Sequence, residues 1–331
     1  MMNKTIKWII WVTLLVCLLI YPKIFGIYYT NVFVTFAIFA LFATSFNLLL
    51  GFTGLLSFGH AMYFGAGGFG TAIALTHIQG LPLLVSVLIG FVSAVVLAII
   101  LSPIVVRVSG TAFAMLHLAF SQLMFVLVLK LRGITGGEDG VGGFPIPPFS
   151  IPGIISIDIM DPLKFYYFAI IVLGISILIL WFFTKTPFGQ IMVSIRDNPN
   201  RVNYMGFRVT LSKAVIYVVA GGFAGIAGSI YALFQNLISA EELSIMACFA
   251  PIMITMVGGV GSFFGPILGS GVFAFLEELT SRYTEHVELV QGLILILVIL
   301  FMPMGLIGIF HIIKEKLFSK PSLQGTMESA S

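Results

Sequence analysis

Charge is what this sequence has least of. Of 331 residues only 9% are charged, 13 acidic and 16 basic, where a soluble domain carries about 25%. Hydrophobic residues make up 59%, and the mean hydropathy is +1.13. A water-soluble fold of this length cannot hide so much apolar surface, whereas in a bilayer lipid is its solvent. The even spread of apolar runs argues for one integral membrane domain over 1–320. Cysteine is scarce too. Cys17 and Cys248 lie far apart in apolar runs, in neither C-x-x-C nor zinc spacing; both read as small buried hydrophobes and say nothing about the redox compartment.

Acidic residues are missing from one place in particular, since every Asp and Glu falls in a loop or near the end of an apolar run. That removes an intramembrane aspartyl protease. It also argues against a carrier holding its coupling ion on an intramembrane carboxylate, although sodium held by unwound backbone carbonyls would leave no such residue to find. H-E-x-x-H is absent, His60 and His117 having no acidic residue at i+1 and no His at i+4. Ser270 has no base at a clear depth, and there is no Walker A loop, so ATP binding of that kind is not expected. The chain reads as a non-enzyme without metal or cofactor, and nothing in it points to nucleic acid. A cleaved leader is not expected either. Lys4 and Lys7 precede the apolar stretch 8–20, but no A-x-A site follows, and Val16 stands before Cys17 where a lipoprotein site wants a small residue.

What is present is apolar and long. Spanning about 30 Å of hydrocarbon takes roughly 20 apolar residues. Ten candidate spans run approximately 8–25, 31–50, 54–76, 82–106, 111–131, 164–184, 211–235, 247–261, 263–277 and 287–309. The eighth and ninth are short, Gly-rich and compatible with half-helices. With the N-terminus inside, eleven Lys and Arg fall on the cytoplasmic side (Lys4, Lys7, Arg107, Lys185, Arg196, Arg201, Arg208, Lys213, Lys314, Lys316, Lys320) and five outside (Lys23, Lys130, Arg132, Lys164, Arg282), which orients the bundle. An even span number puts both termini in the cytoplasm. The small, polar residues 321–331 are expected to be disordered.

Two loops are long. The outer one, 132–163, is rich in Gly and Pro. The inner one, 185–212, carries the densest charge, and its apolar residues recur at helical intervals, predicting one or two short surface helices. Asp197 and Asn198 precede Pro199 as a cap and first-turn proline, and Gly206 is placed to end that helix.

Glycines cluster in three spans: 51–70, 221–228 and 258–271. Small residues three or four apart let helix backbones approach closely. Where glycines bunch at a bend, at 51–59 and 258–266, they can also break a helix and bare backbone groups to a polar path. The candidates for that path are Asn47, Gly51, Gly54, Ser57, His60, Gly258, Gly261 and Gly265. A small zwitterion would need only neutral donors and helix ends of this kind.

Several blocks resemble the LivM-type permeases of bacterial ABC importers for branched-chain amino acids. They are SFNLLLGFTGLLSFGHAMYFGAGGFGTAIAL at 45–75, GTAFAMLHLAFSQ at 110–122 with ITGGEDGVGGFP at 134–145, SIRDNPNRVNYMGFRVTLSKAVIYVVAGGFAGIAGSIYA at 194–232, GGVGSFFGPILGSG at 258–271 and FMPMGLIG at 301–308. The resemblance covers about 31–310. It implies an all-α polytopic bundle in the bacterial inner membrane that forms the path for hydrophobic amino acids. The implied partners are a second, LivH-like permease, two ABC ATPases and an extracytoplasmic binding protein. It also implies an ATPase-coupling helix in the inner loop, matched here by Arg196, Asp197, Asn198, Pro199, Arg201, Met205 and Gly206; R-D-N stands where the family often has R-E-[DN], with the charge kept. Urea and amide permeases share parts of these blocks, and an ion-coupled carrier is the reading from another class.

Overall fold

The computed structural model describes residues 4–151, 155–157, 159–283, 287–301 and 305–308. The expected basic tail at 314–320 and the polar segment 321–331 lie outside the described residues.

Helix α1, Lys4–Asn47, takes up the first two expected spans without a loop between them. It is interrupted at Gly26, whose φ of 76° is a conformation that only glycine adopts freely. A π-helical turn, Leu48–Phe52, follows directly. The third expected span, 54–76, is corrected: Gly54 turns the chain out of the helix at φ 71°, and α2 begins only at Ala61 and runs to His77. The glycines at 51–59 therefore break a helix, as their bunching suggested.

Next come α3 (Leu83–Val105), α4 (Thr111–Lys130) and a single turn α5 (Arg132–Thr135), then α6 (Pro162–Lys185). The loop at 185–212 folds into α7 (Pro187–Asp197) and α8 (Pro199–Tyr204). After it run α9 (Val209–Gln235), α10 (Ile245–Gly258), α11 (Gly265–Ser281) and α12 (Val287–Phe301). Among the described residues five segments are long and apolar enough to cross a membrane: Ile20–Phe52, α3, α4, α6 and α9. Helix α10, with 14 residues, reaches only about 21 Å, short of the hydrocarbon thickness. The fold is that of an α-helical, multi-pass membrane protein.

One departure from an all-helical chain lies in the 132–163 loop. Strand β1 (Val141–Gly142) pairs antiparallel with β4 (Leu237–Ile238), which tethers this loop to the α9–α10 connection. Strands β2 (Phe149–Ile151) and β3 (Ile155–Ile157) pair with each other. Extended segments this short satisfy one another's backbone groups where no helix does so.

Helices α2, α3 and α9 form the tightest group, and α1 packs across α6, α9, α10 and α11. Small residues set that closeness. A methyl group on Gly228 of α9 would fall inside the Phe64 carbonyl of α2, and one on Gly67 inside the Gly225 carbonyl. Hydroxyls stitch the group together: Ser229 of α9 donates to the Gly67 carbonyl of α2 (3.2 Å), and between α2 and α3 Thr71 donates to that of Ser86 (3.2 Å) and Ser93 to that of Ala66 (2.7 Å). With no hydrophobic drive between helices in lipid, close packing and interhelical hydrogen bonds carry the association.

Candidate functional site: the junction of the 185–212 loop with two broken helices

The loop is capped at every joint. Pro187 starts α7 behind Thr186, whose hydroxyl accepts from the Gly189 amide. Pro199 starts α8 behind Asn198, whose side chain accepts from the Arg201 amide at 3.1 Å. Gly206, at φ 88°, closes α8: its amide donates to the Asn203 carbonyl (3.0 Å) and the Phe207 amide to that of Val202 (3.3 Å), the paired bonds of a Schellman end. The cap, first-turn proline and terminating glycine expected from the sequence all take those positions. Asn198→Ala should cost about 1 kcal/mol locally, seen as roughly fivefold faster amide exchange over 200–204 with the bundle unaffected.

Helix α7 buries Gly189, Met192 and Ile195, with Phe188 half-buried against the core. On and after α8, Tyr204 is 90% exposed, Met205 68% and Phe207 42%. With Leu211, 60% exposed, these are the exposed large apolar side chains of the loop, and exposed apolar surface of this kind marks interaction sites. Met205 was a sequence candidate. Tyr204 and Phe207 were not.

The guanidinium of Arg196, at the end of α7, reaches back into the bundle. Its Nη1 donates to the Gly51 carbonyl at 2.7 Å, while Nε and Nη2 both hold the Asp197 carboxylate at 3.2 Å. Beside Gly51, Asn47 grips the turn between α10 and α11: its amide donates to the Ser262 carbonyl (2.9 Å) and its oxygen accepts from the Gly261 amide (3.4 Å). A side chain at Gly51 would collide with Asn47 and with the Gly261 amide. Asn47, Gly51, Gly54 and Gly261 thus converge with Arg196, although the sequence reading assigned Arg196 to one function and the other four to another. Gly258 and Gly265 sit beside this point but serve the α10–α11 contact, each abutting backbone across the turn.

Ser57 and His60 lie elsewhere, fully buried. His60 bonds Ser45 through Nε2 (3.0 Å) and stacks on Phe42. Ser57 bonds His117 Nδ1, and His117 Nε2 meets the hydroxyls of Tyr217 (2.7 Å) and Tyr63 (3.3 Å), which also bond each other. This network joins α2, α4 and α9. Tyr63 and Tyr217 were missed, since a tyrosine in an apolar run carries no sequence sign of what its hydroxyl meets. A cavity of about 630 Å³ opens at the end of α9 far from α8, with Phe39, Phe42 and Phe64 in its wall and Glu241, Glu242 and Glu277 lining it. Phe42 stands between it and His60. Among the described residues no three His, Cys, Asp or Glu side chains are grouped to hold a metal ion.

A helical membrane protein with a structured, capped loop bonded to its broken helices has the layout of a transport subunit. The model of the family "Branched-chain amino acid transport system / permease component" matches residues 28–302, and the chain belongs to that family. The high-affinity branched-chain amino acid transport system permease protein LivM of Salmonella typhimurium is 26% identical over 280 residues, covering 79% of this chain and 65% of the relative. The probable LivM of Methanocaldococcus jannaschii is 25% identical over 324 residues, covering 82% and 91%. The LivH permease of Escherichia coli is 24% identical over 287 residues, covering 82% and 91%. The chain thus spans about two thirds of the length of the enterobacterial LivM proteins. No solved structure matches it.

Proposed function

We propose that the chain is the permease subunit of an ABC importer that carries branched-chain, hydrophobic amino acids across a bacterial inner membrane. It crosses the membrane an even number of times, with both termini in the cytoplasm. A LivH-like permease completes the path, two ATPases bind the cytoplasmic face of the pair with the 185–212 loop docking on one of them, and a binding protein delivers substrate on the opposite side. ATP is hydrolysed in the partners, and this chain supplies path and docking surface. The observation that carries the reading is the exposure of Tyr204, Met205 and Phe207 on and after a capped helix whose base is bonded into the bundle through Arg196. Exposed apolar side chains take up a partner's surface, and a rigid connection passes the partner's movement into the helices.

Y204D combined with M205D should abolish co-purification of the ATPases while the variant still elutes as a folded membrane protein. Retention of the ATPases would remove the loop from the docking role. In proteoliposomes, leucine uptake should require ATP hydrolysis. Uptake that persists without any ATPase and collapses with the proton or sodium gradient would show an ion-coupled carrier instead. Uptake of urea or short amides in place of leucine would keep the machine and change its cargo.

A further inference from the structure

We infer that Arg196 and Asn47 form a strut that joins the docking loop to both broken segments of the bundle, so that the end of α7, the π-turn at 48–52 and the turn at 259–262 move as one body during transport. Both are positioning residues. The inference rests on the importer reading above and names the parts through which the loop would act.

The backbone explains why a side chain is needed at each position. In a continuing helix the Gly51 carbonyl would accept from an amide four or five residues on. The chain leaves the helix at Gly54, and the last turns bond elsewhere: the Gly54 amide to the Leu50 carbonyl (3.1 Å) and the Leu55 amide to that of Leu49 (2.8 Å). Gly51 is left with an unclaimed acceptor in the interior, and the Arg196 guanidinium fills it from a different segment. The guanidinium is a rigid planar fork. Held on its other edge by Asp197, it is oriented before it meets Gly51.

Asn47 does the equivalent for the second break. The turn between α10 and α11 runs through Gly259 at φ 116° and Gly261 at φ 84°. The buried Asn47 amide takes one donor and one acceptor from that turn, as a neighbouring strand would. Gly51 lies between the two grips, and its missing side chain leaves room for Asn47 and Gly261 to close on each other. At Gly54 a methyl group would stand 3.0 Å from Arg196 Cγ, so the arginine stem also packs flat on the break. Hydrogen bonds and packing thus run unbroken from the loop to both turns. A chain of this kind transmits displacement when its members share two discrete arrangements.

The test uses the complete transporter (this chain, its partner permease, both ATPases and the binding protein) in liposomes, with labelled leucine and released phosphate counted together. Leucine moved per ATP hydrolysed should fall about tenfold in R196M and in N47L, within the range of ordinary coupling free energies. R196K keeps a cation able to donate one bond to Gly51 and should recover much of the yield. N47D cannot donate to the Ser262 carbonyl and should recover little. Because the two residues act in series, R196M with N47L should be no worse than the poorer single variant. A yield per ATP unchanged in R196M overturns the strut, as does an R196M loss that R196K does not relieve. Arg196 is a partly exposed loop residue, so R196M carries the test even if N47L fails to assemble. If the wild-type assembly shows no ATP-dependent uptake of leucine, urea or short amides, the importer reading falls, and the strut with it. If the wild type transports and the variants match it, only the strut falls.

Discussion

Gly228→Ala should cost about 3 kcal/mol or more, from the addition of one methyl group. The expected position of that methyl lies inside the Phe64 carbonyl oxygen, and the obstacle is backbone, which has no rotamer to change. Helices α2 and α9 must therefore part. That separates the Gly67–Gly225 contact on the same seam and stretches the Ser229 bond to the Gly67 carbonyl. Overpacking in a tight core costs about 1–3 kcal/mol, and here lost interhelical hydrogen bonds add to it. The control is Gly174 of α6, beside which a methyl meets nothing within 4 Å. Gly174→Ala removes only glycine's unfavourable helix entropy and should gain about 0.5–1 kcal/mol. Thermal unfolding in one detergent should shift in opposite directions for the two substitutions. Equal transitions would mean that α2 and α9 do not pack backbone to backbone.

His117→Leu should have the second largest effect, about 2–4 kcal/mol. The imidazole is the hub of the buried network: Ser57 meets one nitrogen, and Tyr217 and Tyr63 meet the other. Leucine fills much of the same space but leaves the Ser57 hydroxyl without its histidine partner in an apolar interior. It also returns two phenol hydroxyls to each other alone. Tyr217→Phe removes one spoke and keeps the hub, so about 1 kcal/mol is expected. Since both changes act on one network, the double variant should fall short of the sum by about 0.5 kcal/mol or more. Additive losses in denaturant unfolding would show that the hydroxyls and the ring contribute separately.

These effects arise from features of different legibility. The helical segments follow from local properties. The Asn198–Pro199 start and the Gly206 stop are encoded within a few residues of where they act, and the structure reproduces them. The short eighth and ninth segments follow from the same cues. The late start of α2 is a partial miss. Residues 54–60 are as apolar as a span, and only the positive φ of Gly54, stabilised by packing against Arg196, shows that they are not helical. The strands β1 and β4 escaped because each has two residues and a partner about a hundred positions away. No local pattern carries such a pairing.

At the site the division is sharper. By itself the sequence determined that the chain lives in a membrane, which segments are helical, where the long loop folds, and which family it resembles, because composition, periodicity and caps are local quantities. Only the tertiary structure decided what those parts do to one another. It turned Arg196 inward to an acceptor that Gly51 had left free, set Asn47 against a turn more than two hundred residues distant, and buried Ser57 on His117 and His60 on Ser45. The physical reason is that an unpaired backbone group inside a bundle must find a partner, and which partner it finds depends on the three-dimensional approach of segments that carry no mark of one another along the chain.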